Sequence, residues 1–378
     1  MTPGPPWLSP SAAYVHIPFC AHQCGYCDFA VVAGREADAE LYLDALELEL
    51  VGDPRPVETI FLGGGTPTQF TWQQLDRLLH ALQNAHPWPP AGEASIEATP
   101  ESVTPDKVAV LADRGITRVS LGVQSFRRET LAALDRRHRP DDIRPAIDCI
   151  RRRIDNLSLD LIFGVPGTNL ADWAADVAAA IDFAPEHVST YGLTYEKGTP
   201  LWRERHAGRV VALSEDDELA MYLHALDALN AAGYRQYEVS NHARPGRACR
   251  HNQTYWANHA HWAYGMGAAR YVGGVRMRNT RRFDDYVRKT LSGESAVVLR
   301  EELEPEERAR ETISTQLRRA EGIDRGVFHE QTGFDLDALA GDAIRRFVEL
   351  GLLRDDGQSV AWTRAGVCVI DSIIAAMM

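Results

Sequence analysis

The chain has 378 residues, 45% hydrophobic and 25% charged, which is typical of a globular protein with one large and one small domain. The 53 Asp and Glu residues outnumber the 40 Lys and Arg residues, and a net charge of −13 disfavours binding to nucleic acid. No apolar run reaches the ~20 residues that cross a bilayer, and the Pro-rich first ten residues do not resemble a signal peptide. We therefore expect a cytoplasmic protein without a transmembrane segment. Six cysteines are too few for a disulfide scaffold.

Apolar, β-branched runs recur through the first half of the chain and predict six strands. They lie at Ala13–Ile17, Glu58–Leu62, Ser95–Ala98, Arg118–Gly122, Leu157–Phe163 and His187–Tyr191. Helical periodicity fills the intervals, as in Ala39–Val51, where Leu43, Leu46 and Leu50 share one face. Alternating strands and helices predict βαβ units and a parallel sheet. Six units fall short of the eight of a TIM barrel, so the barrel is either open or completed by later strands.

The second half of the chain has a different pattern. Ser214 and the acidic residues after it predict a capped helix over residues 214–233, whereas residues 234–279 show no clear period. Short helices return after Glu304, and two extended pieces follow the last of them. This order predicts a winged-helix-like C-terminal domain. We divide the chain into an N-terminal tail (1–12), a barrel (13–210), a flanking region (211–300) and the C-terminal domain (301–378).

Three of the six cysteines lie within eight residues, directly after the first predicted strand. Cys20, Cys24 and Cys27 have the spacing C-x3-C-x2-C. Three thiolates on one short loop suit three irons of a cubane [4Fe–4S] cluster and leave the fourth iron open to another ligand. Zinc held by the cysteines and His16 or His22 is the competing interpretation, but structural zinc sites usually take two pairs of ligands from separate turns. The spacing favours the iron–sulfur cluster.

Polar residues recur near the ends of the predicted strands, where barrel proteins build their sites. The run Gly63-Gly64-Gly65-Thr66-Pro67 follows the second strand, and its glycines let the backbone approach a ligand. No Lys-Ser or Lys-Thr pair follows this run, which disfavours a phosphate loop. Glu97, Gln124 and Asp160 lie in the next three strands, and a carboxylate there is costly to bury unless it is paired or binds a ligand. A structural salt bridge is the alternative for each carboxylate.

The cysteine loop resembles that of the radical S-adenosylmethionine (radical SAM) superfamily. The resemblance implies a partial (β/α)6 barrel in which SAM chelates the unique iron and is cleaved reductively to a 5′-deoxyadenosyl radical. It assigns SAM contacts to Tyr14, Gly64, Gly65, Thr66, Glu97, Gln124, Arg136 and Asp160, with Arg137 as an alternative to Arg136.

A narrower resemblance rests on five runs of sequence. They are Tyr14-Val-His-Ile-Pro-Phe-Cys20, the Gly63–Pro67 run, Ile96-Glu97-Ala98, Gly122-Val-Gln-Ser-Phe126 and Asp160-Leu-Ile-Phe-Gly-Val-Pro166. They are similar to the coproporphyrinogen III dehydrogenase-like family, which contains the oxygen-independent dehydrogenase HemN and the heme chaperone HemW. Phe29 stands where the dehydrogenases typically carry a further cysteine. The segment Cys249-Arg-His251-Asn252-Gln-Thr-Tyr255-Trp256 contains the His-Asn-x-x-Tyr-Trp run of the HemW branch.

The resemblance to the HemW branch assigns heme contacts to His251, Asn252 and Tyr255. An imidazole is a good axial ligand for heme iron, and aromatic rings can pack on a porphyrin face. A purely structural role is the alternative for His251. Other candidate iron ligands are His242, His259, His261 and Cys249, and Arg244, Arg247 and Arg250 are candidate partners of the heme propionates.

The resemblance to the HemW branch implies a heme chaperone that binds heme and a SAM-liganded [4Fe–4S] cluster and passes heme to an acceptor protein. It would need a reductant for the cluster and would not bind nucleic acid; a membrane-associated acceptor is compatible with this prediction. One alternative is an oxygen-independent coproporphyrinogen III dehydrogenase of porphyrin biosynthesis, so enzymatic activity stays open. A second alternative is a zinc-stabilised protein-interaction module.

Overall fold

The computed structural model describes residues 5–52 and 55–378. Over these ranges the chain forms a nine-stranded sheet, two three-stranded sheets and one two-stranded sheet, with helices packed around them. No helix in this part of the chain is long and apolar enough to cross a membrane.

Strands and helices alternate in the first part of the chain. In order they are β1 (Ala12–Ile17), β2 (Phe19–Cys20), β3 (Val32–Ala33), α1 (Ala39–Leu50), β4 (Thr59–Gly64), α2 (Trp72–Ala85), β5 (Glu93–Ala98), α3 (Pro105–Asp113), β6 (Arg118–Gln124), α4 (Arg128–Ala133), α5 (Pro140–Arg151), β7 (Asn156–Phe163), α6 (Leu170–Asp182) and β8 (His187–Gly192). All six predicted strands are present, and their ends differ from the prediction by a few residues.

The second part of the chain contains shorter strands. In order its elements are α7 (Pro200–His206), α8 (Glu215–Ala231), β9 (Arg235–Gln236), β10 (Asn241–Ala243), α9 (Arg250–Trp256), β11 (Trp262–Tyr264), β12 (Ala269–Val272), β13 (Val275–Asn279), α10 (Phe283–Leu291), β14 (Val297–Glu302), α11 (Pro305–Gln316), β15 (Ile323–Asp324), α12 (Arg325–Thr332), α13 (Leu336–Glu349), β16 (Leu353–Asp355), β17 (Ser359–Trp362), α14 (Arg364–Val367) and α15 (Ile370–Ala375). The predicted cap of α8 is confirmed, since the Ser214 side chain accepts a hydrogen bond from the backbone N–H of Asp217.

The main sheet is an open, partial barrel. Its strand order is β11-β1-β4-β5-β6-β7-β8-β10-β9. Six of these strands pair in parallel, namely β1, β4, β5, β6, β7 and β8. At one edge β11 adds in parallel to β1, and at the other edge β10 and β9 add in antiparallel orientation. The six-stranded barrel predicted from the sequence is therefore confirmed, with extra edge strands from the flanking region.

Alternation along each strand separates an apolar outer face from a polar inner face. In β6, Val119, Leu121 and Val123 are buried in the main hydrophobic core with residues of the surrounding helices. Arg118 and Ser120, at the alternate positions, face the concave side of the sheet. The inner face is thus free to build a polar site while the outer face stabilises the fold.

The C-terminal helices α11, α12 and α13 pack with a three-stranded antiparallel sheet of order β15-β17-β16. Their core is separate from that of the barrel and includes Ile313, Phe328, Ile344 and Phe347. The predicted winged-helix-like arrangement of helices and a hairpin is confirmed.

Two glycines of the C-terminal region provide a matched test of this packing. Both have left-handed backbone, with φ of +73° at Gly322 and +86° at Gly357, so Gly→Ala costs about 1 kcal/mol at each. A Cβ at Gly322 would also collide with the Val360 carbonyl oxygen of β17, whereas one at Gly357 meets no atom. We expect Gly322→Ala to lower the thermal unfolding midpoint several degrees more than Gly357→Ala. Equal midpoints would contradict the packing of β15 against β17.

Candidate functional site

The concave face of the main sheet encloses a cavity of about 730 Å³. The cysteine loop borders its mouth, beside the carboxyl ends of the strands. The helix α9 lies at the opposite end, where strands β4, β5 and β6 begin. The cavity is lined by every residue predicted to bind a cofactor, namely Cys20, Cys24 and Cys27, Tyr14, Gly64, Gly65, Thr66, Glu97, Gln124, Arg136 and Asp160, and His251, Asn252 and Tyr255.

The cysteine loop is anchored to β1 through a histidine that is almost completely buried. The Nε2 atom of His16 lies 2.8 Å from the carbonyl oxygen of Ala30. Because a carbonyl only accepts hydrogen bonds, Nε2 carries the proton, and Nδ1 accepts from the Tyr14 hydroxyl at 3.0 Å. His16 therefore connects the end of the cysteine loop to Tyr14, a predicted SAM contact.

The cysteine thiols are held beside polar groups of neighbouring strands. The sulfur of Cys20 lies 3.7 Å from the hydroxyl oxygen of Thr66. Arg136 donates from Nη1 to the sulfur of Cys24 at 3.4 Å and from Nη2 to the Gly122 carbonyl at 2.8 Å. These bonds place the Arg136 guanidinium at the cysteine loop.

The three cysteines all line the same side of the cavity. Within residues 5–52 and 55–378, no three His, Cys, Asp or Glu side chains converge as ligands of a single metal ion. Burial raises the pKa of Cys20 and Cys27, so both are thiols until a metal displaces the proton.

The glycine run after β4 is required by packing within the chain. A Cβ at Gly63 would collide with the Glu97 carboxylate, one at Gly64 with the His16 ring, and one at Gly65 with the backbone between β1 and β2. Gly64 has φ of +103°, which also favours glycine. The sequence suggested that these glycines admit a ligand. In the structure they also let the cysteine loop and Glu97 pack against the end of β4.

The two inner-face carboxylates have no ion-pair partner in the described part of the chain. Glu97 accepts a hydrogen bond from the Gly64 backbone N–H at 2.9 Å, and burial raises its pKa to about 8. Asp160 accepts from three serine hydroxyls, yet burial still raises its pKa. Asp160 lies in the middle of β7 and not at its end, so the polar lining continues below the ends of the strands.

The histidine of α9 is buried, and both its ring nitrogens are hydrogen-bonded. In His251, Nδ1 lies 3.0 Å from the Thr59 hydroxyl and Nε2 lies 3.1 Å from the Tyr255 hydroxyl. The Phe61 ring stacks on the imidazole at 5.3 Å between centroids. Burial lowers the pKa of His251 to about 3, so the ring is neutral. An iron ligated by His251 must replace one of these two hydrogen bonds.

The other candidate iron ligands are less suitably placed. His242, His259 and His261 do not line the cavity. Cys249 does, but its thiol donates to Glu93 at 3.2 Å, and burial raises its pKa to about 12. A metal at this sulfur would have to break its bond to Glu93, whose carboxylate also holds the start of α9.

The cavity also contains polar residues that the sequence analysis did not single out. They are Arg118, Ser120, His187, Ser189 and Tyr191, all on strands of the main sheet. Period-two alternation could have identified them, because each occupies an inner-face position of its strand.

Comparison with known proteins agrees with this geometry. Residues 14–180 match the sequence profile of the Radical SAM superfamily, and residues 303–369 match that of the HemN C-terminal domain. The solved structure of coproporphyrinogen III oxidase (HemN) from Escherichia coli has the same fold, with a TM-score of 0.85 over 97% of this chain and 90% of that chain at 22% identity. The partial barrel and the cysteine loop at its mouth define a radical SAM protein, and this class implies a [4Fe–4S] cluster and SAM as cofactors.

Three relatives narrow the class further, and each is named heme chaperone HemW. The protein from Bacillus subtilis (strain 168) is 32% identical over 97% of this chain and 99% of its own length. The protein from Mycobacterium tuberculosis (strain ATCC 25618 / H37Rv) is 34% identical over 98% of this chain and 95% of its own length. The protein from Escherichia coli (strain K12) is 35% identical over 69% of this chain and 70% of its own length. The chain belongs to the HemW family.

Glu97 provides a pH test of the cavity in protein without SAM. Its pKa is about 8 in the folded chain against an ordinary value of 4.5, so the folded state binds this proton more tightly. The resulting stabilisation is complete below pH 4.5 and is lost as the pH rises through 8. We expect the thermal midpoint of Glu97→Gln to rise relative to wild type between pH 5 and 9, since glutamine cannot ionise. Glu129→Gln, on the exposed face of α4, is the control, and a difference that does not change with pH would contradict the assignment.

Proposed function

We propose that this protein is a heme chaperone that binds heme and a SAM-liganded [4Fe–4S] cluster and transfers heme to an acceptor protein. The observation that carries the proposal is a single cavity with three cysteines at its mouth and His251, Asn252 and Tyr255 at its opposite end. The HemW relatives are named as heme chaperones, and they match nearly the whole chain.

At the mouth, Cys20, Cys24 and Cys27 would ligate three irons of the cluster. The bound cluster would supply an electron and an open iron for SAM. Arg136 suits the carboxylate of SAM, because a guanidinium matches carboxylate geometry. Glu97, with the other predicted contacts around it, would accept hydrogen bonds from SAM.

At the opposite end, we assign the axial heme ligand to Nε2 of His251. Because the ring is neutral, one of its two nitrogens carries no proton and has a lone pair that can bind a metal. Nε2 faces Tyr255, which lines the cavity, whereas Nδ1 is bound to Thr59 in the buried interior. Movement of the Tyr255 side chain away from His251 would release Nε2. Thr59 and Phe61 would keep the ring in place, as second partners of metal-binding histidines do.

Phe29 favours the chaperone over the dehydrogenase. This side chain lines the mouth and is 65% exposed, at the position where the dehydrogenases typically carry a further cysteine. An exposed phenylalanine at the mouth offers an apolar contact to an acceptor protein. The three cluster cysteines are therefore accompanied by an apolar side chain and not by a fourth thiol.

Removal of single cysteines tests the cluster. After anaerobic reconstitution, we expect about four irons and four sulfides per wild-type chain. Cys20→Ala, Cys24→Ala and Cys27→Ala should each hold less than about one iron, because the cluster loses one of only three protein ligands. Cys149→Ala and Cys249→Ala are matched controls that should keep the wild-type content. Zinc in place of iron, or full iron content in Cys24→Ala, would contradict the cluster.

Heme titration followed by the Soret band tests the chaperone function. We expect wild type to bind one heme per chain and His251→Ala to bind it at least about tenfold more weakly, through loss of the axial ligand. His259→Ala is the control, because His259 does not line the cavity. Tyr255→Phe should bind heme at least as tightly as wild type, since it frees Nε2 and keeps the ring.

Two results would count against the chaperone. One is a wild-type protein that does not bind heme. The other is anaerobic formation of protoporphyrinogen from coproporphyrinogen III in the presence of SAM and a reductant, which would indicate the dehydrogenase.

A further inference from the structure

An arginine lies buried at the α9 end of the cavity with few of its donors used. Arg118, the first residue of β6, lines the cavity and is 2% exposed. Its one hydrogen bond runs from Nη1 to the Arg247 carbonyl at 3.4 Å, and its Nε has no partner among the described residues. A guanidinium has five N–H donors, so most of its capacity remains for a ligand.

The carboxylates near Arg118 are occupied by other donors. Glu93 accepts from the Cys249 thiol and from the backbone N–H groups of Arg250 and His251. Asp160 accepts from three serine hydroxyls. In the described part of the chain neither carboxylate forms an ion pair with Arg118. Nearby Cys249, Tyr237, Glu93 and Asp160 raise the pKa of Arg118 despite its burial, so its charge is balanced at a distance. No carboxylate of the described residues accepts a hydrogen bond from the guanidinium, however, and its free N–H donors indicate an anionic ligand.

Arg118 lies far from Gln124, a predicted SAM contact at the mouth, although Asp160, another predicted contact, lies near it. Gln124 ends the same strand six residues later, which is about 20 Å along β6 at ~3.3 Å per residue. Beside Arg118 lies the α9 end of the cavity, where Asn252 donates one N–H to the Tyr237 hydroxyl at 3.3 Å. A ligand there is distinct from the carboxylate of SAM, which we assign to Arg136 beside Cys24.

We propose that Arg118, with Asn252 beside it, forms a carboxylate-binding subsite that takes a propionate of heme. The proposal rests on the proposed function, because it names the part of heme that enters this end of the cavity. The planar fork of a guanidinium matches the two oxygens of a carboxylate, and charge-assisted bonds of this kind are about twice as strong as neutral ones. With a propionate bound to Arg118, the porphyrin iron would be ligated by His251 at the same end of the cavity.

The arginines that the sequence suggested for this role lie elsewhere. Arg244, Arg247 and Arg250 do not line the cavity. Arg250 pairs with Glu58 at 3.0 Å, and Arg247 is exposed. Arg118 is therefore the arginine that can reach a ligand beside α9.

The test compares heme with its dimethyl ester, in which both carboxylates are blocked. We expect wild type to bind the free acid about tenfold or more tightly than the ester. Arg118→Gln should bind both with the weaker affinity, and Arg118→Lys should be intermediate because it keeps the charge but not the fork. Arg247→Gln removes an exposed arginine near α9 and should behave as wild type. Circular dichroism and iron content verify that each variant is folded.

A second measurement separates this subsite from the heme proposal and covers a variant that fails to fold. Sodium propionate should raise the thermal midpoint of wild type but not that of Arg118→Gln, whether or not heme binds. Asn252→Asp, at a half-buried position, should weaken binding of the free acid but not of the ester. Equal affinity of wild type for acid and ester, or discrimination retained without Arg118, would overturn the subsite. Stabilisation by propionate through Arg118 in a protein that binds no heme would support the subsite and refute the chaperone function.

Discussion

The inner face of the barrel carries ionisable side chains that have no ion-pair partners in the described part of the chain. Glu97, Arg118 and Asp160 all line the cavity, and each is largely removed from solvent. Hydrogen bonds compensate only part of the burial of Glu97 and Asp160, because burial still raises the pKa of both carboxyl groups. Nearby Cys249, Tyr237, Glu93 and Asp160 instead raise the pKa of Arg118. The apolar outer face stabilises the fold around them, so the barrel can hold a polar interior that is completed by ligands.

The two ends of the cavity are built by different parts of the chain. At the mouth, His16 holds the cysteine loop to β1. At the opposite end, the side chain of Glu93 holds the start of α9, while the C-terminal region holds its end, since the amides of Gln316 and Gln331 both donate to the Ala257 carbonyl at 3.1 Å. The C-terminal region therefore positions the segment to which we assign heme binding.

Local sequence patterns predicted the six parallel strands, the cap at Ser214 and the cysteine loop, because each depends on neighbouring residues. They did not predict how α9 closes the cavity. The bond between His251 and Thr59 joins residues 192 positions apart, and the edge strands β9, β10 and β11 are too short to show a period. Arg118 begins an apolar strand, and its free N–H donors become apparent only when the hydrogen-bond partners of Glu93 and Asp160 are known.

The central claim is that one cavity holds a cluster at its mouth and heme at its opposite end at the same time. The most direct measurement is the quantification of iron, sulfide and heme in one anaerobically reconstituted sample with SAM present. The account predicts about four non-heme irons, about four sulfides and one heme in every chain. Heme that binds only by displacing the cluster, or a cluster-loaded protein that takes up no heme, would contradict it.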